Sequence, residues 1–277
     1  MRFLSTFYFE SDTKRKIKIR KEKGESLVEK SWKEKLRLYL LVYTIGLLFA
    51  VAYFILRMRG DVKIQGKLPK PNGRSLVVVS NHPSTVETLL LIGLLSRLYL
   101  LSPRLAPWST PTMKHFSRLS GRIWNLMQER AILVPEGRAG LVSWFRRMGE
   151  IIGGAEPAIT IIFPEGNRTF LTDSVPVGDS GQRLGPVQPG VATLIARAKV
   201  RPLVLPIWVE GADRVMPNSR EKLVTGWPQW HRGPIVLRIG KPIDFPAYAN
   251  QTEISQGIFA ALSGLAGQCF IFCLNFS

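Results

Sequence analysis

Residues 76–91 read LVVVSNHPSTVETLLL, an apolar run that passes through a polar turn into a second apolar run. The first four residues predict a buried strand, and the segment 86–101 has the period of a helix. The turn holds His82 with Glu87 five positions on, and Asn81 is placed to cap the helix. A carboxylate on one imidazole nitrogen leaves the other free to accept a proton. The pattern indicates a general base at a strand end, although a helix cap beside a surface carboxylate would fit the same residues.

A second stretch, residues 158–169, has the same organisation and reads AITIIFPEGNRT. The apolar run predicts a strand, and Pro164 and Gly166 predict the turn that follows it. Arg168 carries the guanidinium fork that binds phosphate, and exposed N–H groups of the turn would add to an anion site. An ordinary turn with a surface salt bridge is the alternative interpretation.

Both stretches belong to an α/β pattern that begins near Gly60. Short β-branched runs alternate with helical segments, which predicts a central, mostly parallel sheet flanked by helices. Such sheets bind ligands beyond the carboxyl ends of their strands, where both motifs lie. Residues 173–189 are rich in Gly, Pro and Asp and are predicted as a loop. The predicted strands are 76–79, 132–134, 159–163, 203–209 and 235–239, and the predicted helices are 86–101, 141–152 and 190–199.

The composition indicates an anionic partner. The chain has 277 residues, with 38 Lys and Arg against 20 Asp and Glu, for a formal net charge of +18. Nucleic acid, an acidic membrane surface and a phosphorylated substrate all fit that charge. The cysteines, Cys269 and Cys273, lack the further ligands of a zinc set, so we expect buried thiols and no metal site.

An apolar run, residues 36–56, reads LRLYLLVYTIGLLFAVAYFIL and carries a single charge, Arg37. About 20 helical residues match the roughly 30 Å hydrocarbon core of a bilayer. We therefore expect a membrane-associated helix, and a buried core helix, an interfacial helix and a hairpin remain alternatives. Basic residues on both sides leave its orientation open. A second uncharged segment, 254–276, contains glycines that favour docking against the domain or the bilayer surface over a membrane span.

The two motifs together resemble the glycerolipid acyltransferase family, of the 1-acyl-sn-glycerol-3-phosphate acyltransferase type. NHPSTVE, residues 81–87, is similar to that family's Asn-His-x-Ser-x-x-Asp block. FPEGNRT, residues 163–169, is similar to its Phe-Pro-Glu-Gly-Thr-Arg-Ser block. The resemblance continues through 121–138, through PLVLPIWVEG at 202–211 and through RIGKPI at 238–243.

The resemblance implies a mechanism. His82, held by Glu87, would deprotonate the free hydroxyl of lysophosphatidic acid or a related lysophospholipid, which then attacks an acyl thioester. Acyl-CoA or acyl carrier protein would be the co-substrate, with no metal or other cofactor. The substrate-binding residues that it implies are Glu165, Gly166, Arg168, Arg138 and Pro206.

The resemblance also implies an integral or monotopic membrane enzyme of phospholipid synthesis, with its active domain on the cytoplasmic side and no nucleic-acid partner. Four segments are expected. They are a basic N-terminal segment 1–35, a membrane-associated helix 36–59, an acyltransferase α/β domain 60–250, and a C-terminal apolar helix or tail 251–277.

Two departures from the family pattern keep alternatives open. Glu87 replaces the family's aspartate and is one methylene longer, and Asn167 and Thr169 replace threonine and serine around Arg168. One alternative is a CoA-independent phospholipid transacylase like those of the tafazzin branch. Another is a lipid-binding relative impaired at Glu87. A nucleic-acid-binding protein would explain the charge but not the apolar run 36–56, and the chain lacks a basic–aromatic RNA motif.

Overall fold

The structure is a computed structural model that describes residues 32–70, 72–111, 128–135, 137–177, 182–217 and 227–267. The side chains of residues 128, 138, 139 and 171 are outside that description. The described residues from Leu38 onward form one compact unit, and of the unit ending at Arg37 only residues 32–37 are described. Most of the predicted basic segment, together with Cys269 and Cys273, therefore lies outside the described residues.

Six strands form a mixed sheet at the centre of the larger unit. They are β1 (Val62–Gln65), β2 (Leu76–Ser80), β3 (Trp108–Ser109), β4 (Ile159–Ile162), β7 (Leu203–Glu210) and β8 (Ile235–Ile239), and a separate hairpin supplies β5 (Val175–Val177) and β6 (Gln182–Leu184). The spatial order is β1-β8-β7-β2-β4-β3. Strands β3, β4, β2 and β7 are parallel, whereas β8 runs antiparallel to β7 and parallel to β1.

Helices cover both faces of this sheet. They are α1 (Trp32–Leu41), α2 (Leu47–Met58), α3 (Val86–Leu94), α4 (Ser96–Tyr99), α5 (Arg138–Ile152), α6 (Pro189–Arg197), α7 (Ala212–Val215) and α8 (Gln251–Ala266). Helices α2, α3 and α4 pack on one face, and α5, α6 and α8 pack on the other. Within β2, Val78 faces the first group, while Val77 and Val79 face the second. Burial on both faces explains the unbroken apolar strands. The predicted fold class, a mostly parallel sheet flanked by helices after an apolar N-terminal helix, is confirmed.

The predicted strand 132–134 is wrong. Ala131 forms an isolated bridge with Ser109, and the N–H of Ile132 donates to the Ser109 carbonyl at 2.9 Å. Pro135 follows immediately and has no N–H group with which to continue a ladder. The segment therefore lies along the edge strand β3 without becoming a strand.

The segment 173–189, predicted as a loop, contains the antiparallel hairpin of β5 and β6. Val177 and Leu184 bury their side chains in the second core. The indole N–H of Trp208 donates to the side-chain oxygen of Gln182 and so ties the hairpin to the sheet. The loop prediction failed because Gly, Pro and Asp dominate the composition of this segment and the two strands within it are only three residues long.

A π-helical turn, Val42–Gly46, joins α1 and α2 into one helix, Trp32–Met58. Within the described residues it is the one helix long and apolar enough to cross a membrane, by length and composition. Only 17% of its most apolar window is buried, so the alternative of an ordinary core helix does not fit. The exposed large side chains of α2 are Leu47, Leu48, Val51, Phe54, Ile55 and Met58.

The C-terminal helix α8 begins at a capping box. The Asn250 side chain accepts the N–H of Glu253, and the Glu253 carboxylate accepts the N–H of Asn250. Ile254, Ile258 and Leu262 are fully buried against α6 and β7. The expected docking of this segment is therefore confirmed as far as Ala266, and residues 268–277 lie outside the described part.

Candidate active site

The turn after β2 places His82 beyond the carboxyl end of the sheet. Asn81 fixes this turn, because its side-chain amide donates to the Val209 carbonyl at 2.8 Å and accepts the Val209 N–H at 2.7 Å. The prediction that Asn81 caps α3 is therefore wrong. The residue at the N-cap position is Thr85, whose side chain makes no capping bond. Asn81 instead joins the end of β2 to its neighbour β7.

His82 and Glu87 form a hydrogen-bonded pair. Helix α3 begins at Val86, so Glu87 stands in its first turn and its Oε1 contacts His82 Nδ1. The Glu87 side chain is fully buried, and 18% of the His82 side chain is exposed. Glu87 therefore reaches the imidazole despite its extra methylene. With Nδ1–H donating to the carboxylate, Nε2 is the nitrogen left to accept a proton.

The second motif packs directly on the first. The ring of Phe163, which follows β4, stacks on the His82 imidazole with centroids 4.0 Å apart. Gly166 has a φ of +70°, a conformation that favours glycine, and its N–H donates to the Phe163 carbonyl at 3.0 Å. The N–H of Thr169 donates to the His82 carbonyl at 2.9 Å. The predicted meeting of the two strand ends is observed.

Glu165 lies beneath these turns, with 1% of its surface exposed. Its Oε1 accepts the His82 N–H at 2.9 Å and the Thr169 hydroxyl at 2.8 Å. Its Oε2 accepts the Gly185 N–H at 2.7 Å. Burial raises the pKa of the Glu165 carboxyl, and these three donors and the nearby His82 oppose that rise. Glu165 therefore connects both motifs to the segment after β6.

Arg168 is also buried, with its guanidinium 5.1 Å from the centre of the Phe170 ring. Burial lowers the pKa of Arg168, and the negative charge of Glu87 opposes that change. Within the described part of the chain no carboxylate forms an ion pair with this guanidinium, and Glu87 Oε2 has no hydrogen-bond partner. The Arg168 guanidinium and the Glu87 carboxylate therefore attract each other electrostatically within the site.

The other two predicted site residues, Pro206 and Arg138, are not part of the two motif turns. Pro206 lies within β7, level with Val79 and therefore inside the sheet, below the turn that carries His82. The backbone of Arg138 begins α5, and its side chain lies outside the described residues. The structure does not bring Pro206 to His82.

An apolar cleft, partly open to solvent, lies beside the N-terminal helix. Its lining includes Val42, Ile45, Phe49, Ile92, Tyr99 and Arg130. Arg130 is buried, stacks 4.6 Å from the Trp108 ring centre, and donates to the Arg104 carbonyl at 3.0 Å. Burial lowers the pKa of Arg130 to about 10.

Sequence reasoning missed three supporting residues of the site: Asn81 in its bridging role, Phe163 as the stacking partner, and Gly185. Phe163 stands inside the quoted motif, and an aromatic residue at a strand end was an available signal. Gly185 had none, because a glycine in a Gly-rich segment does not reveal which side chain approaches it.

The arrangement can perform general-base chemistry. The buried Glu87 carboxylate orients the His82 imidazole beyond the carboxyl end of β2, and the buried Arg168 lies in the neighbouring turn. A hydroxyl or amine hydrogen-bonded to Nε2 would become a nucleophile. This site lies on a mostly parallel sheet that follows an apolar helix, as the resemblance to the class of the glycerolipid acyltransferases implies.

Comparisons with known proteins agree with that class. The chain shares its fold with the crystal structure of the 1-acyl-sn-glycerophosphate (LPA) acyltransferase PlsC from Thermotoga maritima, with a TM-score of 0.56 at 20% identity over 86% of this chain and 83% of that one. An N-acylphosphatidylethanolamine synthase of Arabidopsis thaliana is 32% identical over 181 residues, which are 64% of this chain and 58% of the plant protein. No family model matches the chain. The two relatives confirm the resemblance to the glycerolipid acyltransferases.

Proposed function

We propose that this protein transfers a fatty acyl group from an acyl thioester to a glycerophospholipid acceptor. The observation that carries the proposal is the hydrogen-bonded pair of His82 and Glu87 beyond the carboxyl ends of parallel strands. An open imidazole edge beside a buried carboxylate is the arrangement that activates a hydroxyl.

The proposed reaction begins at His82 Nε2, which takes the proton from the acceptor's free hydroxyl. The oxygen then bonds to the thioester carbonyl carbon, the carbon–sulfur bond breaks, and the leaving thiolate takes the proton from His82 Nε2. Glu87 stabilises the imidazolium that forms between these steps. The acceptor that we propose is lysophosphatidic acid or a related lysophospholipid, and the donor is acyl-CoA or acyl carrier protein.

Arg168 carries the acceptor part of the proposal, and Gly166 stays a prediction for acceptor binding. The Arg168 guanidinium lies in the turn next to His82 and has no ion-pair partner among the described residues, which suits a phosphate group. Arg138 and Pro206 stay predictions for substrate binding. The cleft along Val42 and Phe49 is suited to an acyl chain, because most of its lining is apolar.

The proposal includes a membrane location. The exposed apolar surface of α1 and α2 supports insertion into a bilayer, which is also where lysophospholipids reside. We propose that the α/β domain then stands on the cytoplasmic side.

A second acceptor follows from the plant relative, whose name describes N-acylation of phosphatidylethanolamine. The same base would take a proton from the headgroup amine in place of a hydroxyl. The two reactions give different products, an ester or an amide, so they can be separated chemically.

The test is an acceptor panel on the full chain in detergent or membranes, with products identified by lipid mass spectrometry. The panel pairs acyl-CoA or a donor phospholipid with lysophosphatidic acid, lysophosphatidylethanolamine or phosphatidylethanolamine. His82→Ala should lower the rate by about 100-fold to 10,000-fold, the usual contribution of a general base. His231→Ala, a change at an exposed histidine, should leave it unchanged. Equal activity of His82→Ala and wild type would overturn the proposal.

A further inference from the structure

We propose that Glu165 is a positioning residue for His82, although the family resemblance places it among the acceptor-binding residues. The catalytic part of this inference rests on the proposed function. Its structural part rests on three hydrogen bonds to one buried carboxylate.

The first argument is access. Only 1% of Glu165 is exposed, and donors within the protein already occupy both carboxylate oxygens. A substrate hydroxyl would have to displace the His82 N–H, the Thr169 hydroxyl or the Gly185 N–H to reach them. A substrate phosphate would be repelled, because like charges at close range disfavour each other in a buried site.

The second argument is connection. The backbone of His82 is held at two points, since its N–H donates to Glu165 and its carbonyl accepts the Thr169 N–H. These bonds join the turn that carries the base to the turn that carries Arg168. Glu165 therefore fixes how the imidazole stands relative to the neighbouring strand end.

The third argument is packing at Gly185. A Cβ atom at this position would lie 2.7 Å from Glu165 Oε2 and 2.3 Å from the Thr172 hydroxyl. Only glycine allows the backbone after β6 to come close enough for its N–H to reach the carboxylate. The glycine at position 185 is therefore needed for the hydrogen bond between this segment and Glu165.

Glu165→Gln tests the role directly. The amide keeps the size of the side chain but removes the charge and turns one acceptor into a donor that faces other N–H groups. We expect kcat to fall by about 10-fold to 100-fold, the cost of a displacement on the order of 1 Å, with the acceptor KM nearly unchanged. A raised KM at constant kcat would show instead that Glu165 binds the acceptor.

A second measurement needs no substrate. Diethyl pyrocarbonate modifies neutral imidazoles, and mass spectrometry of the full chain separates His82 from the exposed His231. In Glu165→Gln the limiting rate of His82 modification should rise by more than about threefold, because the turn that carries the imidazole loses part of its hydrogen bonding. His231 should not change in this variant, and neither histidine should change in Glu150→Gln, which neutralises an exposed carboxylate on α5.

Thr169→Val provides a milder variant if Glu165→Gln fails to fold. It removes one donor to Glu165 and keeps every charge, so the limiting rate of His82 modification should rise by about threefold. Unchanged His82 reactivity in folded Glu165→Gln or Thr169→Val would overturn the inference. Inactivity of the wild type on every acceptor would contradict the proposed function alone, since the modification data still decide the role of Glu165.

Discussion

Glu87 carries the main residue-scale question, because the family pattern has an aspartate at its position. In the structure α3 begins one residue before Glu87, and the longer side chain folds back until Oε1 contacts His82 Nδ1. The rest of the side chain is fully buried. The position at which α3 begins therefore allows a glutamate side chain to reach His82.

That match gives a prediction for two substitutions. Glu87→Asp should slow acyl transfer by about 100-fold, since shortening the side chain withdraws the carboxylate by roughly 1 Å or more from the imidazole. Glu87→Gln should be at least as slow, because the amide keeps the length but loses the charge that stabilises imidazolium. Initial rates with saturating acceptor measure both. A faster Glu87→Asp enzyme would mean that glutamate impairs the pair.

At the scale of elements, the N-terminal helix combines an exposed apolar surface with a firm attachment to the α/β domain. The attachment includes close packing of Tyr53 against Gly93, where an added Cβ would lie 2.5 Å from the Tyr53 Cβ. It also includes the Tyr99 hydroxyl, which donates to the Gly46 carbonyl at 2.9 Å. One side of the helix is therefore apolar and exposed, while the other side packs against the domain.

The exposed surface can be tested separately from the attachment. Leu48 and Phe54 are 65% and 61% exposed, so the double substitution Leu48→Glu/Phe54→Glu should leave folding intact. It should lower binding to phospholipid vesicles by at least about tenfold, because each buried charge costs roughly 2 kcal/mol or more. Vesicle flotation measures the binding. Val142→Glu, at a 77% exposed position on α5, is the matched control and should bind like wild type.

The attachment is tested by Tyr99→Phe. Burial raises the pKa of Tyr99 to about 12, so the hydroxyl stays a donor at physiological pH. Its loss leaves the Gly46 carbonyl without this bond and should lower the free energy of unfolding by about 1–3 kcal/mol. Urea denaturation in detergent micelles measures this. Tyr248→Phe, at an 87% exposed ring, should have no effect, and equal losses for both variants would argue against the contact.

The long strands and the meeting of the two motifs were predictable from the sequence, whereas features that depend on tertiary contacts were not. Strands β2, β4, β7 and β8 were predictable because residues buried on both faces leave unbroken apolar runs. The hairpin of β5 and β6 was not, since its pairing depends on Gln182 and Trp208, which lie far apart in the chain. Asn81 was assigned to a helix cap because local spacing cannot reveal a bond to Val209.

At the scale of the whole molecule, Arg74 joins distant segments at the end of the sheet opposite the active site. We call its bonds to Asp244 and Arg201 the clamp. Arg74, just before β2, forms paired bonds of 2.7 Å with both carboxylate oxygens of Asp244, which follows β8. It also donates to the Arg201 carbonyl before β7 at 3.0 and 2.8 Å. The bonds to Arg74 lower the pKa of the Asp244 carboxyl.

This clamp predicts a pH dependence of stability. Because the folded pKa of Asp244 lies below its unfolded value of about 3.9, the contribution is complete above that value and is lost as pH falls through the folded pKa. Asp244→Asn should therefore lower the urea midpoint at pH 6, and its difference from wild type should shrink toward pH 2. A difference that persists unchanged at pH 2 would contradict this assignment. Asp213→Asn, at an exposed carboxylate in α7, serves as the control.

The pairing of β1 with β8 has a consequence for biosynthesis. Val62 pairs with Ile235, so the first strand of the sheet has no partner until the last strand has left the ribosome. At about 5–20 residues per second, that delay is roughly 10–35 seconds. The apolar helix that precedes β1 emerges at the start of this interval, when no finished domain exists to cover any part of it. In the membrane location that we propose, the nascent chain would therefore reach the bilayer before the domain closes.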